Sequence, residues 1–295
     1  AEDQALLLDA GLDPAAVEEV HALDEVGVLA AQGLWPGPEP VWHTRDGRDG
    51  TLAWDIHYRH LPEWAERLAP GSGIIVLAGR SREAPGADRL DDATRLRLME
   101  SANELPAESA HHLASRFGLG RILMCSTAAI YGDVPQPCRE DGPIRPTSLY
   151  GKAKASMENE TWVYRLTQDV SACALRIGNV AGADALFGAM ARGPVTLDRL
   201  PDGTVPRRAY IGPLTLARAM VALLAEPDLE AVAEPRPDAT GDPDRLWPAI
   251  NLAQPGLLAM DAVLGAAGLP LAWRDNPDAL PVLEMDLSRL QALAP

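Results

Sequence analysis

A tyrosine and a lysine stand four residues apart in Tyr150-Gly-Lys-Ala-Lys154, at the start of a helical pattern that includes Glu158. That spacing puts both side chains on one helix face, a turn apart, where an ammonium favours the ionised form of a phenol. With an ordinary pKa near ~10, a tyrosine becomes an acid or base near neutrality only with such help. A YxxxK by itself is weakly specific, because a solvated helix surface can carry one by chance. Here it follows Arg121-Ile-Leu-Met-Cys-Ser-Thr-Ala-Ala-Ile-Tyr-Gly132, where an apolar strand ends in hydroxyls and turns into Tyr131-Gly132.

The elements that must hold these residues alternate in type. Short apolar runs read as strands at 40–44, 73–77, 121–125 and 171–176. Between them, apolar residues at three- and four-residue spacing predict helices at about 61–68, 91–117 (broken at Pro106) and 148–167. Gly118 and Gly120 sit where a helix stops before the strand that begins near Arg121. This alternation predicts an α/β fold, a Rossmann-like doubly wound parallel sheet with a smaller C-terminal substrate lobe. Residues 1–178 are expected to form the dinucleotide-binding domain. Residues 179–295 form the smaller lobe, with some segments returning to the first. Residues 226–243, rich in proline and acids, read as a surface loop, and 257–267 as a helix.

A chain of 295 residues with 47% hydrophobic content can bury a large core, and a formal charge of −16 argues against a nucleic-acid or anionic membrane surface. Three cysteines without CxxC spacing favour neither a disulfide framework nor a zinc site and fit a reducing cytoplasm. His111 and His112 have no partners at metal-ligand spacing, so no metal is expected. No apolar run has the ~18 residues of a membrane span.

Ser126-Thr-Ala-Ala-Ile-Tyr-Gly132, Glu140, Pro146-Thr-Ser-Leu-Tyr-Gly-Lys-Ala-Lys154, Glu158 and Leu175-Arg-Ile-Gly-Asn-Val-Ala-Gly182 together resemble the NAD-dependent epimerase/dehydratase family of extended short-chain dehydrogenases. The likeness runs in order from about Pro40 to Met220. It implies that Tyr150 is the catalytic acid/base, that Lys154 lowers its pKa and binds the nicotinamide ribose, and that Thr127 hydrogen-bonds the substrate oxygen. The implied reaction is hydride transfer at a carbinol or carbonyl carbon of a sugar nucleotide or related small molecule. The alternatives are a reductase of a smaller carbonyl compound and a non-catalytic member with impaired dinucleotide binding. The resemblance also implies a homodimer built on the Tyr150 helix and the long helix before it.

For the cofactor, the resemblance points to Asp55 and Ile56 at adenine and to Leu77, Ala78 and Gly79 along the strand end, with Asn103 as a structural asparagine. The family's GxxGxxG loop is absent: counting back from Val41, Gly27 takes the third glycine's place while His21 and Asp24 occupy the first two. A second register uses Ala5–Leu8 as the first strand and Gly11 as a lone glycine. Either puts an aspartate near the phosphates, where a carboxylate repels them. At the second strand's tip Arg45 stands in place of an acid, which leans the choice between NADP and NAD toward NADP; a solvated turn explains Arg45 equally well. On the substrate side the expected contacts are Ser126, Asn179 and Arg208. The short segment between Asn179 and Arg208 keeps the smaller carbonyl substrate open.

Overall fold

Successive residues of a strand face opposite sides of a sheet, and in the Ile122–Thr127 strand both sides are covered. Ile122 and Met124 pack with Ala107, Ala110, Leu113 and Met157 on one face; Leu123 packs with Leu216, Met220 and Leu223 on the other. The structure, a computed structural model, describes residues 43–44, 52–54, 61–83, 86–168, 170–182, 195–233, 248–266, 268 and 270–293. In chain order it contains β1 (His43–Thr44), β2 (Leu52–Ala53), β3 (Ile74–Val76), α1 (Asp92–Phe117), β4 (Ile122–Thr127), α2 (Leu149–Gln168), β5 (Ala172–Ile177) and β6 (Asn179–Val180). These are followed by β7 (Val195–Arg199), β8 (Arg207–Arg208), β9 (Tyr210–Ile211), α3 (Pro213–Ala225), α4 (Leu229–Ala233), β10 (Ala249–Leu252) and β11 (Leu258–Ala259). The last elements are α5 (Met260–Ala266), β12 (Leu271–Asp275), β13 (Val282–Leu283) and α6 (Ser288–Leu293).

The main sheet runs β10-β5-β4-β3 and every pairing in it is parallel, as the α/β reading predicts. β10 comes from the second half of the chain and returns to the sheet beside β5. The remaining strands form small ribbons: β7 with β12, β6 with β9, and β8 between β11 and β13. Among the described residues no helix is long and apolar enough to cross a membrane.

Four expectations are corrected. Pro106 does not break α1, which runs unbroken through it. Proline removes one helical hydrogen bond, but residues on both sides of it, Leu98, Met99 and Asn103 before and Ala107, Ala110 and Leu113 after, are buried and hold the helix in line. The predicted helix at 61–68 is a 3-10 turn, Glu63–Arg67, too short for α-helical bonding after Pro62. Within the expected 226–243 loop, α4 forms because Leu229 and Ala233 are buried against the sheet core. In the expected 257–267 helix, Leu258 and Ala259 pair with β8 instead, and α5 begins at Met260.

Candidate active site

The last three residues of β4 each grip α2. Lys154 donates from Nζ to the Cys125 carbonyl at 2.8 Å. Ser126 donates its hydroxyl to Glu158. The Thr127 hydroxyl stands near the Tyr150 phenol and favours its ionised form. The two elements meet closely because Thr127 caps the 3-10 turn Ala128–Ile130, accepting at Oγ1 from the Ala129 amide at 3.2 Å, and α2 starts on top of that turn. A Cβ at Gly151 would lie 2.6 Å from the Ala129 carbonyl oxygen, so only glycine permits this approach. Ser148 starts the helix by accepting the Gly151 amide at 3.0 Å.

The electrostatics of the trio differ from the spacing argument. Burial pushes the half-buried Tyr150 phenol up to about 12, and the Thr127 hydroxyl opposes the rise. Lys154 is not the group that lowers it, because its ammonium is turned to the Cys125 carbonyl. Lys154 itself is 4% exposed, and burial lowers its pKa to about 8 against the pull of Cys125 and Glu158. Its second neighbour is Met157 Sδ at 3.6 Å, a weak acceptor, so an ammonium with three donors makes one strong bond.

The strand end after β3 faces the same lysine. A Cβ on Gly79 would lie 2.6 Å from Asn103 Oδ1 and 3.1 Å from Lys154 Nζ. Buried Asn103 fixes that strand end: it accepts the Arg80 amide at 3.3 Å and donates to the Arg80 and Met99 carbonyls at 3.1 and 2.8 Å. Leu77, Ala78 and Gly79 are half-buried on the way there.

Residues 90–233 match the NAD dependent epimerase/dehydratase family. A 117-residue stretch is 30% identical to UDP-glucose 4-epimerase of Corynebacterium glutamicum, and it spans 39% of this chain but only 34%, about a third, of that relative. Among solved structures, dTDP-glucose 4,6-dehydratase of Streptomyces venezuelae with NAD bound superposes with a TM-score of 0.64 at 15% identity, over 92% of this chain and 88% of that one. UDP-glucose 4-epimerase of Thermus thermophilus in complex with NAD gives 0.60 at 21% identity, over 91% and 88%. At these identities the likeness is one of fold, and the fold is Rossmann-like.

A buried polar network lies behind the trio. Arg176, 1% exposed, pairs with Glu158, 0% exposed, at 2.9 Å. Arg176 also donates to the Tyr131 hydroxyl at 3.1 Å and the Glu140 carbonyl at 2.9 Å. Burial opposes its charge, but Glu158 and Tyr131 outweigh burial and raise its pKa. Tyr131 donates to Asn251 at 2.6 Å, and Asn251 donates from its backbone amide to Glu140 at 2.9 Å. Tyr131, Glu140 and Glu158 all stand in the motifs quoted above, but nothing in their order along the chain marks them as one network. Glu158 was findable there: it continues the four-residue spacing of Tyr150 and Lys154. Asn251 left no such signal.

Ser126 thus lies in this network, its hydroxyl held by Glu158. Asn179 begins β6 and donates its amide to the Ala209 carbonyl at 2.9 Å. Arg208, half-buried on β8, donates to the Arg207 carbonyl at 2.9 Å, and burial lowers its pKa against the pull of Tyr210 and Asp198. Gly27, Arg45, Asp55 and Ile56 lie outside the described residues. Among the described residues no cluster of histidine, cysteine and carboxylate side chains has a metal-holding arrangement.

Proposed function

We propose that this chain is an NAD(P)-dependent oxidoreductase or epimerase acting at a carbinol or carbonyl carbon of a sugar nucleotide or a related sugar-like substrate. The observation that carries the reading is the meeting of Thr127 and Tyr150 where β4 ends under α2, with the buried Lys154 ammonium held to the adjoining Cys125 carbonyl, at the carboxyl edge of a parallel sheet, where open α/β sheets bind their ligands. The described part of the site suits a dinucleotide's ribose end: Gly79 leaves room beside Lys154 that a Cβ would fill, and Lys154 has donors left for ribose hydroxyls. Leu77, Ala78, Gly79, Tyr150 and Lys154 would hold that end, with Gly27, Arg45, Asp55 and Ile56 toward the adenine and phosphates. When bound, the nicotinamide supplies hydride transfer to or from the substrate carbon.

The chain's own residues do the rest. Tyr150 gives or takes a proton at its hydroxyl as the substrate oxygen gains or loses charge. Thr127 donates to that oxygen where the charge develops. Lys154 brings a compact positive charge to the same edge; of the chain's 26 basic residues only Lys152 and Lys154 are lysines, so an ammonium here stands out against a background of arginine. Asn179, Arg208 and the Ser126 backbone region would meet the rest of the substrate. A cytoplasmic homodimer through α1 and α2 belongs to the same proposal.

Titration with NADH and with NADPH, followed by fluorescence and thermal shift, tests the reading and the expected NADP preference together. Micromolar binding supports it, and Tyr150→Phe should then bind the dinucleotide as before while losing turnover of a UDP- or dTDP-sugar. Absence of binding for both at millimolar concentration overturns it.

A further inference from the structure

We propose that Glu158 is the positioning residue of this site: held by Arg176 and Ser126, it locks the helix of Tyr150 and Lys154 to the strand of Thr127 and fixes a carboxylate one helix turn from the Lys154 ammonium. The inference rests on the reading of the site given above and assigns it a part that touches neither substrate nor cofactor. Three observations support it. Glu158 lies one turn beyond Lys154 on α2, as Lys154 lies one turn beyond Tyr150, so the three share a helix face. Its carboxylate accepts from Ser126, the residue between Cys125, which holds Lys154, and Thr127, which lies near Tyr150. One buried anchor therefore sets the height of α2 over both reacting hydroxyls. Finally, Arg176 meets the carboxylate through Nη2 at 2.9 Å and Nε at 3.2 Å, while Tyr131 and the Glu140 carbonyl orient the guanidinium.

Two fully buried opposite charges are costly to place, and an apolar pair of equal volume is often as stable, so stability alone does not account for them. A carboxylate one turn from the Lys154 ammonium, fixed at that place by Arg176, does account for them. Cys125 and Glu158 favour the protonated lysine against burial, and Arg176 holds the Glu158 carboxylate in place.

The chain's two lysines make the test direct. Carbon-13 labelling at lysine Cε gives two NMR signals, Lys154 in the site and exposed Lys152 as an internal reference. In Glu158→Gln the Lys154 midpoint is expected to fall by about one pH unit, as loss of a neighbouring opposite charge predicts, while Lys152 stays. Because that variant strands the Arg176 cation, Glu158→Gln/Arg176→Met, which removes both charges, is measured beside it and should move Lys154 the same way. Glu158→Asp, which keeps the charge, should restore most of the shift. An unmoved Lys154 midpoint in the folded variants overturns the proposal. So does loss of the fold in both neutral variants, since Glu158 would then serve stability alone. The readout needs neither cofactor nor substrate. A midpoint that moves in a chain that binds no dinucleotide sustains the positioning role and removes the oxidoreductase reading; dinucleotide binding with an immobile midpoint does the reverse.

Discussion

Replacing Lys154 by methionine is expected to stabilise the fold at neutral pH while removing the charge that the proposed function assigns to the site. The side chain is 4% exposed, and burial brings its pKa from 10.5 to about 8. At about 1.4 kcal/mol per pH unit, that drop corresponds to about 3 kcal/mol by which the folded state disfavours the charged form relative to the unfolded chain. The sign follows from proton counting. Below about pH 8 both states hold the proton and the full penalty is present. Between about 8 and 10.5 the unfolded chain holds the proton more tightly than the folded one, so wild-type stability gains from this lysine as pH rises. Methionine has a similar length and no charge to desolvate, so the variant lacks that gain. Urea unfolding of both proteins at pH 7 and pH 10 reads the difference, and all other titrating groups cancel between them. The variant should lead by up to about 3 kcal/mol at pH 7, and the lead should shrink toward zero at pH 10. A lead that does not change with pH would refute the reasoning, because Lys154 would then not be a penalised buried charge.

Other perturbations probe neighbouring parts of the argument. Gly79→Ala puts a Cβ 2.6 Å from Asn103 Oδ1 and 3.1 Å from Lys154 Nζ, and should weaken dinucleotide binding at least tenfold in a calorimetric titration while the sheet stays folded. Arg176→Met leaves Glu158 buried without its partner and should cost about 3–5 kcal/mol in chemical denaturation, more than the double change with Glu158→Gln. His111 is fully buried on α1, stacked on Tyr164 with ring centres 5.4 Å apart, and burial lowers its pKa. The unfolded chain therefore binds this proton more readily, stability falls as pH drops below about 6.5, and His111→Phe should flatten that acid limb in thermal melts. Thr127→Ala, which removes the hydroxyl near Tyr150, should lower turnover by about 10²–10³ without weakening dinucleotide binding, as assayed by steady-state kinetics beside a binding titration.

Local periodicity made the positions of β4, α1 and α2 legible, because burial on a sheet or helix face leaves a period of two or 3.6 in the order of residues. The same reasoning failed at Pro106 and at 226–243, where packing against distant residues overrode a local breaker. By itself the sequence determined that Tyr150 and Lys154 would be candidates, since residue type and spacing along one helix depend only on neighbours in the chain; Thr127 became one through the family resemblance. Tertiary structure decided what each does electrostatically. Whether Lys154 points at the phenol or at the Cys125 carbonyl, whether Ser126 is free for a substrate or bound to Glu158, and which buried arginine balances that carboxylate all depend on residues brought together across the sheet. Desolvation and ion pairing act through space, and a linear order of residues carries no measure of that distance.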